Sequence, residues 1–329
     1  MTGPVTVTTC SNIALIKYWG KRDAERNIPD VGSLSLPLGA LQTVTTVDPD
    51  GRGRFELDGR EMSERERERI LALCRRLGVD AAHLDFCTEN RFPTAAGLAS
   101  SASGGAAAVV ALIEAFGLQL SRDRIIAETL RVSGSAPRSL IEGFARIDPV
   151  GDGVSLRALP VPAAWDLRVL VVCTATGPKK HLSRDAMAQS RTSPYYDAWV
   201  ASHPSDLDAA EQAIHDMDLA SLLATMEHST LKMHAVPVTS RPAIIYWNAV
   251  TWAVIERVRA IREREHIPAG FTMDAGPHVK VFCEARHAER IGDELRQIPG
   301  VVDLITTEIG HGPIVQRAGA APEPWRLPA

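Results

Sequence analysis

Lys17, Tyr18, Lys21 and Arg22 crowd the segment 12–22, a cationic cluster that carries one aromatic hydroxyl. Several charged donors at this spacing can grip a phosphate or diphosphate. A solvated basic turn would have the same composition. A second segment, Pro93-Thr94-Ala95-Ala96-Gly97-Leu98-Ala99-Ser100-Ser101-Ala102-Ser103-Gly104-Gly105, is built mostly of small residues and opens into an apolar helix over 106–116. A helix start leaves its first N–H groups unpaired and bears the positive end of the macrodipole, so it favours an anion. Small side chains let the backbone approach that anion, and the hydroxyls of Ser100, Ser101 and Ser103 add donors or a metal contact. No Gly-Lys-Ser/Thr closes the loop, so it is not a Walker A sequence. The alternative is a tightly packed helix start whose small residues serve neighbouring backbone.

Two further segments carry chemistry. In Ser133-Gly134-Ser135-Ala136-Pro137-Arg138-Ser139-Leu140, Pro137 suits the first position of a helix, with Ser135 or Ala136 as its cap. Arg138 offers a rigid fork suited to a carboxylate or phosphate. A capped helix start with a surface arginine is an equal reading. In Phe271-Thr272-Met273-Asp274-Ala275-Gly276-Pro277-His278, an acid stands on a tight turn between two β-rich runs. A nearby cation would keep Asp274 ionised and able to take a proton from a substrate hydroxyl. A turn aspartate that only bonds its own backbone is the commoner case.

The elements that must position these residues follow from periodicity and caps. Residues 5–9, 42–47 and 54–57 read as strands, with Asp48-Pro49-Asp50-Gly51 as a turn. Ser63-Glu64-Arg65-Glu66 is a capping box, and Gly78 ends its helix. A strand over 84–87 leads toward the small-residue loop, and a helix covers 122–132. Residues 167–173 form an apolar run of strand length, buried on both faces. Helices follow over 204–235 and 244–265, then a hairpin over 267–284, a helix over 288–297 and a strand over 301–308. The Ala- and Pro-rich tail 318–329 reads as disordered. The fold class is α+β in two domains, 1–178 and 179–329.

Composition narrows the partners. The chain has 329 residues, 45% hydrophobic and 23% charged, which is ordinary for a globular protein. A net charge of −4 argues against nucleic acid and anionic membranes as general partners. No apolar run reaches the ~18 residues that span a bilayer, and no secretory h-region follows the start. The five scattered cysteines lack a Cys-x-x-Cys pair, which suits reduced thiols in the cytoplasm better than disulfides or zinc. Mg²⁺ is then the natural companion of a phosphate site.

Taken together and in this order, these segments resemble the mevalonate diphosphate decarboxylase family, within the superfamily of galactokinase, homoserine kinase, mevalonate kinase and phosphomevalonate kinase. Residues 12–22 resemble its diphosphate-mevalonate signature, 93–103 its phosphate loop and 271–277 its catalytic aspartate turn. Ser183-Arg184-Asp185, Thr192-Ser193-Pro194-Tyr195-Tyr196 and Leu231-Lys232-Met233-His234-Ala235 add to the likeness, which spans about residues 5–315. The resemblance implies a ribosomal protein S5 domain 2-like N-terminal domain, a ferredoxin-like C-terminal domain and an active site in the cleft between them. It implies ATP-dependent decarboxylation of mevalonate 5-diphosphate to isopentenyl diphosphate with ATP and Mg²⁺ as cofactors, by a cytoplasmic homodimer. Asp274, Arg138 and Lys17 would be catalytic. Tyr18, Lys21, Ser133, Ser135 and Ser183 would hold the substrate with Arg138. Pro93, Ala95, Ala96, Gly97, Leu98, Ala99, Ser100 and Ser101 would cradle ATP, with Ser101 at the metal.

The family pattern differs here at Pro137, where a Cys or small residue is usual, and at His278, where Asn usually follows the turn. His278 stands close enough in sequence to alter substrate choice or pH behaviour. The rivals are decarboxylation of mevalonate 5-phosphate, phosphorylation without decarboxylation, and a silent metabolite-binding protein.

Overall fold

The computed structural model describes residues 3–92, 100–177 and 181–328. It is mixed α+β in two domains, each built on its own antiparallel-rich sheet. Strands Val5–Ile16 and Ser33–Asp48 form the spine of the first sheet, paired antiparallel from Val5↔Val47 to Ile16↔Leu34. Val, Thr and Leu alternate along both, so one face is buried against helices. Those helices are Glu64–Leu77, Ser100–Phe116 and Arg122–Val132. The expected capping box at Ser63 and Glu66 is formed, and Gly78 ends the helix at φ 74°.

The helix Ser100–Phe116 begins six residues earlier than its apolar run, so Ser100 and Ser101 sit in its first turn. Its glycines also serve packing: a Cβ on Gly105 would lie 3.0 Å from Ala136 Cβ and 3.1 Å from Val132 Cγ1. Pro93 to Ala99 lie outside the described residues.

The second sheet has the order Ala269–Met273, Val279–Glu284, Leu167–Cys173, Asp303–Glu308. All neighbours are antiparallel, and helices fill the connections before Ala269 and after Glu284. That is a β-α-β-β-α-β arrangement of the ferredoxin-like type. The expected hairpin is present, with Asp274 to His278 as its connection.

Several boundaries differ from the sequence reading. The stretch 204–235 is two helices, Tyr196–His215 and Leu219–Val238, because Asp218 caps a new start through Ser221 N. Helix Ala249–Glu265 begins at an Asn248–Thr251 box rather than at 244. The split at 178 does not follow the sheets: Leu167–Cys173 belongs to the second, whereas Ile314–Arg317 returns to pair with Val5–Thr8 in the first. The tail is ordered rather than free. Glu323–Pro324 pairs with Ile314–Val315, and Trp325 packs on the first-domain core while its Nε1–H donates to Glu114 Oε1 at 2.7 Å. An indole at a mixed Ala/Pro tail supplies apolar area that the composition alone undervalues.

The domains share a core. Ile13, Leu15, Ile16 and Leu34 from the first pack with Val169, Val171, Leu207, Leu222 and Phe282 from the second. The mouth of this joint is the cleft described next.

Candidate active site

Lys17 follows directly on the buried strand Val5–Ile16, and its backbone is held from two helices of the second domain. Its N–H donates to Ser229 Oγ at 2.9 Å, and His203 Nε2 lies 2.7 Å from its carbonyl. Burial pushes the His203 imidazole down to about 4, so it is neutral and its Nε2–H donates. Thr272 Oγ1–H donates to Ala14 O at 3.0 Å and so ties the aspartate hairpin to the same strand. These bonds bring Lys17 Nζ to 2.9 Å from Asp274 Oδ1.

Lys17 is 2% exposed, and burial pulls its ammonium down to about 8 against the attraction of Asp274. The Asp274 side chain keeps 30% of its surface open. Burial pushes its carboxyl up, but the charges of Lys17, Lys280 and Arg138 outweigh that and hold it well below the usual carboxylate range. Lys280 Nζ stands 4.0 Å from Oδ2. His234 bonds to the backbone of Met273 and Asp274 and is pushed down to about 3 by burial and by Lys17, so it adds no charge.

Arg138 sits in a single 3-10 turn, Ala136–Leu140, with Pro137 at its start, rather than in a full helix. Ser135 occupies the cap position without a side-chain bond to the turn, and its hydroxyl lies 3.2 Å from Ser133 Oγ. Asn12 Nδ2 donates to Ser135 O and to Ser139 Oγ at 3.2 and 2.7 Å, which fixes the turn on the sheet. Arg138 is 5% exposed, yet its Nε and Nη1 have no hydrogen-bond partner among the described residues, and neither has Tyr18 Oη. Buried donors left unpaired are costly and rare. Three such atoms on side chains that line the same space as Asp274 describe a site made for an anionic guest.

One cleft of ≈ 800 Å³ collects these groups. Lys17, Tyr18, Lys21, Ser100, Ser101, Ser133, Ser135, Arg138, Ser183 and Asp274 all line it, so every described residue expected to be catalytic or to hold substrate or ATP faces one space. His278 does not. It is buried, and its Nδ1 accepts from Thr174 N at 3.1 Å on the far side of the turn. Its proximity in sequence is undone by the hairpin, which points neighbours in opposite directions.

The cleft also holds cations to which sequence reasoning gave no role. Arg65, Arg69 and Arg76 line it from helix Glu64–Leu77, and Arg131 and Arg184 from other walls. Spacings of four and seven residues put the first three on one helical face, a signal available in the sequence. Lys280 was likewise visible as a charge inside an apolar strand.

Among known proteins, the family model for the diphosphomevalonate decarboxylase-like N-terminal domain matches residues 9–155. That for the mevalonate 5-diphosphate decarboxylase C-terminal domain matches 169–305. A phosphomevalonate decarboxylase of Haloferax volcanii is 31% identical over 84% of this chain and 87% of its own length. A diphosphomevalonate decarboxylase of Gibberella zeae is 33% identical over 87% and 82%. The crystal structure of mevalonate diphosphate decarboxylase from Staphylococcus aureus superposes with a TM-score of 0.89 at 33% identity, covering 96% of this chain and 99% of that one. MDDEF in complex with MVAPP, AMPPCP and magnesium gives 0.86 at 33% identity over 95% and 99%.

Proposed function

The chain belongs to the mevalonate diphosphate decarboxylase family, and on that premise we propose that it converts mevalonate 5-diphosphate and ATP to isopentenyl diphosphate, ADP, phosphate and carbon dioxide. The observation that carries this reading is the ion pair of Asp274 with Lys17, set in one cleft with Arg138, whose Nε and Nη1 are unpartnered among the described residues.

Asp274 accepts the hydrogen bond of the substrate's tertiary hydroxyl and orients its oxygen toward the γ-phosphorus. A carboxylate held so far below its ordinary range is a weak base, so the proton moves to it only as the O–P bond forms. Phosphorylation turns that oxygen into a leaving group. When phosphate departs with the C–O electron pair, the pair of the C–C bond to the carboxylate forms the new double bond and carbon dioxide is released. Arg138 holds the carboxylate with Ser135 until then, through a fork that suits it. Lys17 keeps Asp274 ionised, and Tyr18, Lys21, Ser133 and Ser183 hold the phosphorylated end, which positions the reacting end.

ATP is expected against the start of helix Ser100–Phe116, where Ser100 and Ser101 face the cleft. Mg²⁺ takes most of its ligands from phosphate and water and needs one or two hard oxygens from protein. The Ser101 hydroxyl, with Ser100 beside it, supplies that donor type, so the residues present fit the ion. Bound with ATP, Mg²⁺ neutralises charge on the phosphates.

Decarboxylation of the monophosphate is the second reading, supported by the Haloferax volcanii relative. Lys21 and Arg184, both on the cleft wall, favour the extra phosphate. Purified protein with Mg²⁺-ATP, offered mevalonate, its 5-phosphate and its 5-diphosphate, separates the readings. ADP and carbon dioxide in equal amounts from the diphosphate are expected; ADP without carbon dioxide would remove the decarboxylase reading. The five free thiols support a reducing compartment, hence the cytoplasm. Exposed Ile245, Trp252 and Val302 support a homodimer, to be read by analytical ultracentrifugation.

A further inference from the structure

Asn27 lies outside every segment discussed so far, yet it is 3% exposed and sits at φ 59°, a left-handed conformation that Asn adopts more readily than most residues. Its amide is fully used. Nδ2 donates to Leu130 O at 3.0 Å and to Arg131 O at 2.9 Å, two carbonyls at the C-terminal end of helix Arg122–Val132. Oδ1 accepts from Lys21 Nζ at 2.6 Å. The fixed pair of donors also fixes which side of the amide faces Lys21.

We propose that Asn27 is a positioning residue that makes this site discriminate a diphosphate from a monophosphate. It does so by locking the Lys21 ammonium at a set distance from the Arg138 turn. The helix end that Asn27 grips runs straight on into Ser133, Gly134 and Ser135, and so into the turn that carries Arg138. The amide therefore joins the grip on the phosphorylated end of the substrate to the grip on its carboxylate, like a strut of fixed length. A neutral acceptor suits the task. It orients the ammonium without neutralising it, so the charge remains available to an incoming anion. A carboxylate in that place would take the charge for itself.

The inference rests on Lys21 being a ligand of the phosphorylated end, and the test separates the two. Asn27→Gly keeps the left-handed backbone and removes only the amide. It is expected to lower kcat/KM for mevalonate 5-diphosphate about tenfold, the effect of one lost charge-assisted hydrogen bond, and to change that for the 5-phosphate less than about twofold. Added to Lys21→Ala, Asn27→Gly is expected to have no further effect on either substrate. Equal losses on both substrates, or full additivity with Lys21→Ala, would show a merely structural role and overturn the proposal. Asn27→Asp retains an acceptor for Lys21 while neutralising it, and should lose diphosphate preference as Asn27→Gly does; a preserved preference would also overturn it. If Lys21→Ala alone left diphosphate kinetics unchanged, the placement of Lys21 itself would fail, and the proposal with it.

Discussion

Lys17 and Asp274 meet at 2.9 Å although one follows the first strand of the N-terminal sheet and the other caps a hairpin of the C-terminal sheet. The pair therefore does two things at once. It sets the charge of the carboxylate, and it reports whether the two domains are correctly apposed, because neither partner has another route to the same geometry.

Asp274→Asn is nearly isosteric and leaves Lys17 without its counter-charge. Turnover is expected to fall about 10²–10⁴-fold, while ATP affinity stays within about twofold. Single-turnover assays and nucleotide titration check this; a near-normal rate would take Asp274 out of its role.

Burial pushes Lys17 down to about 8, and burial with repulsion from Arg184 pushes Lys21 there too. Both then lose protons in the folded protein below the ~10.4 of a free lysine. Activity is expected to fall as pH rises through about 8. Stability moves the other way across the window from about 8 to about 10, because the unfolded chain holds more protons there. Rates and denaturation midpoints over that range test both signs, and a flat rate profile to pH ~9 would contradict the assignment.

Arg138→Gln removes a buried cation whose Nε and Nη1 lack partners among the described residues. Binding of a carboxylate guest should weaken by ~2–5 kcal/mol, seen as a loss in kcat/KM. The unliganded protein should become more stable by ~1 kcal/mol, since unmet donors disappear. Thermal denaturation with and without substrate reads the opposite signs; a fall in both would argue for a structural arginine.

Gly134→Ala places a Cβ 2.6 Å from Tyr18 Oη. The rigid ring must shift, so KM for the phosphorylated substrate is expected to rise about tenfold with little loss of stability. An unchanged KM would mean that the Tyr18 hydroxyl does not touch substrate.

Deleting residues 322–329 removes Trp325 and its bond to Glu114. A loss of ~1–3 kcal/mol is expected, with kcat preserved at low temperature because the cleft is elsewhere. An unaltered denaturation curve would restore the reading of a free tail.

Local signals carried far along this chain. The Ser63 capping box, helix Arg122–Val132 and the aspartate hairpin were legible because caps, apolar period and turn residues agreed. The gathering of Lys17, Arg138 and Asp274 was legible only through resemblance, since residues 17 and 274 are neighbours by topology alone. What escaped depended on tertiary partners. Asn27 has no local pattern, the nearness of Lys280 to Asp274 is set by tertiary placement, and the direction of His278 is decided by the far side of the hairpin. The tail escaped because one tryptophan outweighed its surroundings.

The return of Ile314–Arg317 to strand Val5–Ile16 has a consequence for synthesis. The first sheet cannot complete its edge until Ile314–Arg317, which follow the whole second sheet, leave the ribosome, so the nascent N-terminal half waits with Val5–Thr8 unpaired on one side. A ribosome paused after the second sheet would hold a chain with both cleft walls made and one exposed strand edge, open to pairing with another copy. Gly3 lies beside Ala318, with an added Cβ at 3.8 Å from Ala318 Cβ. Linking Gly3 to Ala318 and opening the chain in an exposed loop would let that edge close first.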